Sequence, residues 1–171
     1  MIRDYSNLIS RLREIAESPN VELEQIGEFE ADSRTYPMFL LRMGSPGAGK
    51  TGVLINAGIH GDEPAGVEAA LQFLETNSAN DDLLSRFFFV VFPCNNPTGW
   101  ELDIRENWQG IDLNREFNRR KCAPEARIIS QALQGHCFDI VFEMHEDIDA
   151  PGLYLYEISE QTHRYVGEKI I

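Results

Sequence analysis

His60 and Glu63 stand three residues apart in His60-Gly61-Asp62-Glu63-Pro64, directly after the apolar run GVLINAGI. An imidazole nitrogen and carboxylate oxygens on one turn both suit zinc, and this spacing lets them close on one ion. The pair can equally be two ordinary polar loop residues, and by itself it does not decide. His145, in FDIVFEMHEDID, ends another apolar run and is a natural third ligand. Taken singly, a histidine there is more often a satisfied structural residue. Two histidines and a glutamate leave an open position for water, the arrangement of a catalytic rather than a structural zinc. A further group, Arg105, Asp112, Asn114 and Arg115, lies in a segment with little periodicity. Two arginines and an amide beside a metal can hold a substrate carboxylate and a developing oxyanion, whereas any one of them alone reads as surface charge.

Strands and helices must bring these groups together. Ser6 can cap a helix in which Ile9, Leu12 and Ile15 recur at helical spacing and which Ser18-Pro19-Asn20 stops. VELEQIGEFE alternates as a half-buried strand does, and a second strand is predicted over Tyr36 to Met43. GVLINAGI and RFFFVVFPC read as strands covered on both faces. Pro64 opens a helix that runs to about Thr76, and Pro124 another that runs to about Leu133. FDIVFEM is a further apolar strand, and GLYLYEIS is predicted as one more. Asn95 to about Lys121 lacks regular structure, and a segment of that length is more often functional than idle. Alternation of strands and helices predicts one three-layer α/β domain over residues 1–171, built on a central mixed, largely parallel sheet. Active groups at the C-terminal ends of its strands would lie where open α/β sheets place their sites.

The composition narrows the classes of function. Fifteen Lys and Arg against 28 Asp and Glu give a formal net charge of −13, which repels phosphate backbones and anionic lipid. Neither a nucleic-acid nor a membrane partner is expected. The 43% hydrophobic and 25% charged residues are a globular composition. Cys94, Cys122 and Cys137 are too few and too widely spaced for a disulfide framework, and are read as buried free thiols of a reducing compartment. The charged N-terminus and the lack of a long apolar run are consistent with a cytoplasmic protein.

One motif matches by letter and fails by context. Gly44-Ser45-Pro46-Gly47-Ala48-Gly49-Lys50-Thr51 satisfies G-x-x-x-x-G-K-[ST] and would suggest a nucleotide hydrolase. That loop works only when Lys50 and Thr51 open a helix whose free amides hold phosphate. GVLINAGI follows instead, with β-branched residues and no helical period, so the run reads as a turn between two strands.

The order H-G-D-E, then N-P-T-G, R-E-N, D-L-N-R and a strand ending in M-H resembles the zinc carboxypeptidase superfamily, most of all the branch near succinylglutamate desuccinylase, aspartoacylase and murein-peptide amidases. The resemblance runs from about Leu54 to about Tyr156. It implies His60, Glu63 and His145 as zinc ligands and Asp112 as the carboxylate that fixes the His60 ring. It implies that Asn114 and Arg115 grip a substrate carboxylate, that Arg105 polarises the scissile carbonyl, and that Asn95 to Gly99 shapes the loop carrying Arg105. The expected reaction is hydrolysis of an amide bond next to a free carboxylate, at a peptide C-terminus or in an N-acyl amino acid. In that family the general base is a glutamate well downstream of the third ligand; Glu157 and Glu160 lie too close to His145, and Glu146 reads as a local contact. The expectation is therefore the N-terminal part of such a domain, weak or inactive as this chain alone. The alternatives are a non-catalytic metal- or carboxylate-binding remnant and, further off, the nucleotide hydrolase. Self-association is expected over the surface near Tyr154 to Ile171, where a missing part of the domain would leave a sheet edge uncovered.

Overall fold

The computed structural model describes residues 3–147, 149–150 and 152–158. Five strands form one sheet in the order β1-β2-β4-β3-β5: β1 (Val21–Ala31), β2 (Arg34–Met43), β3 (Thr51–Asn56), β4 (Phe87–Phe92) and β5 (Ile140–Glu143). β1 and β4 both run antiparallel to β2, and β4, β3 and β5 are mutually parallel. Only β2 therefore opposes the common direction, and the sheet is mixed and largely parallel, as the alternation predicts. Consecutive residues of β3 from Gly52 to Asn56 are all buried, so both faces of the sheet centre are covered. The core includes Leu41, Val91, Leu12, Val67 and Leu74, each without solvent exposure.

Five helices surround the sheet: α1 (Tyr5–Ile15), α2 (Pro64–Asn77), α3 (Asp81–Arg86), α4 (Pro97–Leu102) and α5 (Pro124–Ala132), with a single 3-10 turn at Leu113–Arg115. Asp4, not Ser6, is the N-cap of α1; its carboxylate accepts the Ser6 N–H. Leu8, Leu12 and Ile15 form the buried stripe of this helix. α3 and α4 are too short to show a period in the sequence. The structure differs from expectation at two further places. Glycine-to-isoleucine 152–158, the described part of GLYLYEIS, forms no strand. FDIVFEM yields only the short β5, which is an edge strand with Val141 52% and Phe142 43% exposed. Its apolar letters match a buried strand, but burial requires a neighbour on each side, and among the described residues β5 has only β3. No helix among the described residues is long and apolar enough to cross a membrane.

The chain leaves β3 through α2 to reach β4 on one side, and later returns to pair β5 on the other. The C-terminal end of β3 is thus a point where the strand order diverges, which is where open α/β sheets hold their ligands. β3 and β5 are parallel, with Asn56 paired to Glu143 at the end of the ladder. His60 and His145 follow those residues closely, so the loops that carry them leave the same edge of the sheet.

The glycine-rich run behaves as a turn. Residues 45–49 are exposed, Thr51 opens β3, and no helix begins at Lys50. The amides that would cradle a phosphate are therefore not arranged at a helix N-terminus.

Candidate metal centre

Gly58 and Gly61 shape the loop between β3 and Glu63, the acidic member of the candidate centre. Gly58 has φ +64°, and a Cβ there would lie 2.7 Å from Val67 Cγ2, so the chain can turn left-handed against α2 only without a side chain. Gly61 lies against backbone: a Cβ would fall 1.9 Å from the Gly99 carbonyl carbon and 2.4 Å from Ile104 O. Its N–H donates to Arg105 O at 3.3 Å, and its carbonyl accepts from the Arg3 guanidinium at 2.9 Å. Asn96 completes the clamp, donating to Arg105 O at 3.2 Å and accepting the Gly99 N–H at 2.9 Å. The Asn95–Gly99 segment therefore joins the His60 loop to the Arg105 loop.

Glu63 occupies the N-cap position of α2 but makes no capping hydrogen bond. Its carboxylate turns away from the helix, with Oε1 2.7 Å from His60 Nδ1 and Oε2 2.8 Å from His145 Nδ1. The orphaned N–H of Ala65 is satisfied instead by Glu146 Oε2 at 2.9 Å, while the Glu146 N–H donates to Glu63 Oε2 at 3.1 Å. Glu146 thus holds the first turn of α2 and the Glu63 carboxylate in one geometry. One donor atom from each of His60, Glu63 and His145 lies within 4.8 Å of the others. The His60 side chain is 2% exposed, Glu63 11% and His145 38%, so the cluster is enclosed by protein on one side and open on the other.

This donor set fits zinc: two imidazole nitrogens and a carboxylate converge, with an open face opposite the protein. The far nitrogen of His60, Nε2, lies 3.2 Å from Asp112 Oδ1. A carboxylate on that side favours the tautomer that leaves Nδ1 free to bind a cation. Burial pushes the Asp112 carboxyl up, but the hydrogen bonds from His60 and the Asn114 N–H and the charge of Arg105 outweigh it, leaving it below its ordinary value. Exchange of Asp112 for asparagine is expected to weaken zinc binding by about 10–100-fold, with the ion still held by three ligands. A competition titration against a zinc chelator checks this; unchanged affinity would detach Asp112 from the centre.

The Arg105 guanidinium stands beside the cluster, 3.4 Å from both Glu63 Oε1 and Asp112 Oδ2, and is 42% exposed. Asp112 Oδ1 caps the 3-10 turn by accepting the Asn114 N–H at 3.0 Å. Asn114 lines a cavity of about 200 Å³ together with Asn56, Asn95 and Glu143. Arg115, on the same turn, is exposed and has no ion-pair partner among the described residues. The structure therefore brings His60, Glu63, His145, Asp112 and Arg105 together, places Asn114 beside them, and leaves Arg115 exposed on the same turn.

Sequence reading misses three contributors. Arg3 reaches Gly61 and Trp100 from the N-terminus, across a separation that no local pattern reports. Glu146 gains its capping role only because Glu63 has vacated it. Glu143 joins Asn56, whose Nδ2 donates to its Oε1 at 2.7 Å, through strand pairing. The cysteine reading also changes: Cys94 is buried, Cys122 half-buried and Cys137 exposed. Burial pushes the Cys94 thiol up to about 12, so it packs rather than reacts.

Comparisons with known proteins bear on the family and the fold. The description of the Zinc carboxypeptidase family matches residues 9–135, a range that includes His60, Glu63, Arg105 and Asp112 and ends before His145. Murein peptide amidase A of Escherichia coli (strain K12) is 40% identical over 73 residues, which cover 43% of this chain and 28% of that protein. The chain therefore spans little more than a quarter of that curated relative. The crystal structure of a metallo-carboxypeptidase from Burkholderia cenocepacia superposes with a TM-score of 0.74 and 27% identity, covering 87% of this chain and 42% of that one. Bovine thrombin-activatable fibrinolysis inhibitor superposes at 0.69 with 22% identity, over 86% of this chain and 61% of its own, which speaks to the fold alone. Match, fold and the order of its polar groups coincide: the chain belongs to the zinc carboxypeptidase family.

Proposed function

We propose that this chain carries the metal-binding and substrate-orienting part of a zinc-dependent hydrolase that cleaves an amide bond next to a free carboxylate, as a metallocarboxypeptidase or an N-acyl amino acid deacylase. The observation that carries the reading is Glu63, whose two oxygens face Nδ1 of His60 and of His145 at 2.7 and 2.8 Å while Asp112 backs the far side of His60. His60, Glu63 and His145 would hold the ion. Bound there, zinc supplies Lewis-acid polarisation of the substrate carbonyl and lowers the pKa of water toward neutrality.

The other residues act by position. Arg105, tethered through its own carbonyl to Gly61 and Asn96, can donate from its exposed guanidinium face to the oxygen of the scissile carbonyl as charge builds there. Asn114 offers its side chain from the turn that Asp112 caps, at a distance from Arg105 set by the short run between them, and would hold the substrate carboxylate together with Arg115. Glu146 accepts the Ala65 N–H through Oε2 and orders the Glu63 carboxylate through its own N–H, so its role is read as positioning rather than proton transfer. Proton transfer by a placed side chain typically contributes about 10²–10⁴-fold. Accordingly the chain by itself is expected to bind zinc and substrate carboxylates yet turn over peptides and N-acyl amino acids weakly or not at all. Non-catalytic binding of metal and carboxylate is the second reading, favoured by that engagement of Glu146.

Two measurements test the proposal together: zinc content of the purified chain by atomic emission, and hydrolysis of C-terminal peptide and N-acyl amino acid panels with added zinc. About one zinc per chain, lost on changing His145 to alanine, supports it. A chain that takes up no zinc, or takes it up equally without His145, sinks it. Rapid turnover that survives Arg105→Ala would remove the role given to Arg105. Self-association is expected over the surface near Tyr154 to Ile171, of which residues 159–171 lie outside the described residues and Tyr154, Leu155, Tyr156 and Ile158 are exposed; sedimentation velocity at rising concentration reads it.

A further inference from the structure

Glu125 is an interior carboxylate that the chemistry of the metal centre does not use. It is the second residue of α5 and has no solvent exposure, and among the described residues no lysine or arginine pairs with it. Its partner is Asn107, also without exposure, whose Nδ2 lies 3.1 Å from Oε1 and 3.3 Å from Oε2. Burial pushes the Glu125 carboxyl up and the charge of Glu116 adds to it; the Glu125 N–H and the Asn107 amide pull the other way without cancelling the rise. A buried group of this kind is costly unless its hydrogen bonds are kept. Asn107 directs its remaining polar groups into one turn. Its Oδ1 accepts the N–H of Gln109 at 3.0 Å and of Ile111 at 3.1 Å, its backbone N–H donates to Ile111 O at 3.0 Å, and its carbonyl accepts the Gly110 N–H at 2.8 Å. Residues 107–111 are thereby closed into a ring, with Arg105 two residues before it and Asp112 directly after.

We infer that Glu125 is a positioning residue for the metal centre: by holding the Asn107 side chain it fixes the turn between Arg105 and Asp112, and with it the carboxylate behind His60. The inference rests on the zinc reading above and extends it to a residue with no hydrogen bond to any of the three donors. The support is firm. α5 packs on β1, where Gly27 allows the approach: a Cβ there would lie 3.0 Å from Ile128 Cγ2. A second tie comes from Glu116, whose Oε2 accepts the Ala123 N–H at the start of α5 at 3.0 Å. The stretch from Asn107 to Glu116, which carries Asp112 and Asn114, is thus fastened to one helix at both ends, and from it Asp112 Oδ1 meets His60 Nε2 at 3.2 Å. Without Glu125 the Asn107 Nδ2 is buried and unpaired, and the amide finds another acceptor only by turning, which releases the N–H groups of Gln109 and Ile111.

Zinc affinity of the full chain, read by competition with a chelator, tests this with two sets of variants. Glu125→Ala is expected to weaken zinc binding about tenfold, the lower end of what loss of a supporting partner costs. In an Asp112→Asn background the same change should alter affinity by less than about twofold, because the group through which Glu125 acts is already gone; a general loosening of the fold would weaken both backgrounds alike. The second set exchanges the partners. Asn107→Asp sets two buried carboxylates against each other and should weaken zinc binding. Adding Glu125→Gln should restore affinity to within about twofold of the parent, with the glutamine amide now donating to the aspartate. This pair keeps side-chain size, so it remains decisive if Glu125→Ala does not fold. Unchanged affinity in Glu125→Ala, an equal loss in both backgrounds, or no restoration in the exchanged pair overturns the proposal. A parent chain that takes up no zinc sinks the zinc reading instead. Amide hydrogen exchange at Gln109 and Ile111 in the metal-free chain then decides whether Glu125 holds the turn: faster exchange in Glu125→Ala supports it, and exchange at the parent's rate overturns it.

Discussion

Replacing Glu63 by glutamine is expected to take the zinc content of the purified chain from about one ion to nearly none. Glu63 is the only group of the cluster that contacts both histidines, with oxygens 2.7 Å and 2.8 Å from their Nδ1 atoms. The carboxamide removes the anionic charge and replaces one acceptor with a donor, while keeping size and therefore packing. Loss of partners one contact further out typically costs about 10–100-fold in metal affinity, so loss of a ligand itself should cost more than about 100-fold. Atomic emission on dialysed protein, paired with circular dichroism to show a retained fold, reads the result. The contrasting variant is Glu146→Gln, which can still accept the Ala65 N–H through its carbonyl oxygen and should keep its zinc. Should Glu63→Gln hold zinc as tightly as the parent while Glu146→Gln loses it, the ligand set has been assigned to the wrong carboxylate.

A methyl group at Gly61 is expected to do the greatest damage to the fold around the site. The added Cβ would sit 1.9 Å from Gly99 C, 2.3 Å from Gly99 O and 2.4 Å from Ile104 O. All of these are backbone atoms and cannot move aside by changing rotamer. Relief requires the His60–Glu63 loop to part from the Pro97–Leu102 helix, breaking the Gly61 N–H bond to Arg105 O and the Arg3 bond to Gly61 O. Overpacking against side chains costs about 1–3 kcal/mol, and against fixed backbone the cost should reach about 3 kcal/mol or more. Chemical denaturation should show this loss for Gly61→Ala, with zinc affinity falling in the fraction that remains folded. Gly49→Ala is a useful comparison: nothing lies within 4 Å of its Cβ, although its φ of +80° adds some backbone strain. A Gly61→Ala chain as stable as the parent would mean that the two loops are not clamped as described.

Why some of this was readable from residue order, and some not, follows from the range of the forces involved. β3 and β4 declared themselves because strands covered on both faces need continuous apolar residues, and GVLINAGI and FFFVVF are such runs. β5 declared its apolarity equally well, yet its exposure could not be read from FDIVFEM, since that depends on whether another strand lies beside it. α3 went unnoticed because its six residues are too few to show a period. The glycine-rich run was read correctly against its own motif, because the β-branched residues that follow Lys50 favour a strand over the helix that phosphate binding requires.

His60, Glu63 and His145 were legible as candidate metal donors by residue type, and Asp112 and Arg105 as their proposed neighbours by their place in the order of motifs. The sequence by itself determined the donor chemistry, the acidic surface, the two central strands and the turn before β3, all of which depend on residue type or on neighbours a few positions away. Only the tertiary structure decided that His145, 82 residues beyond Glu63, meets the same carboxylate, because that requires β5 to pair with β3 in parallel and in one register. It likewise decided that Arg3 clamps the metal loop, that Glu146 caps the helix Glu63 leaves uncapped, and that Asn56, Asn95 and Glu143 share a cavity. The physical reason is the same in each case: these contacts join residues far apart in the chain, and loop closure and sheet register, not local propensity, select which of them meet.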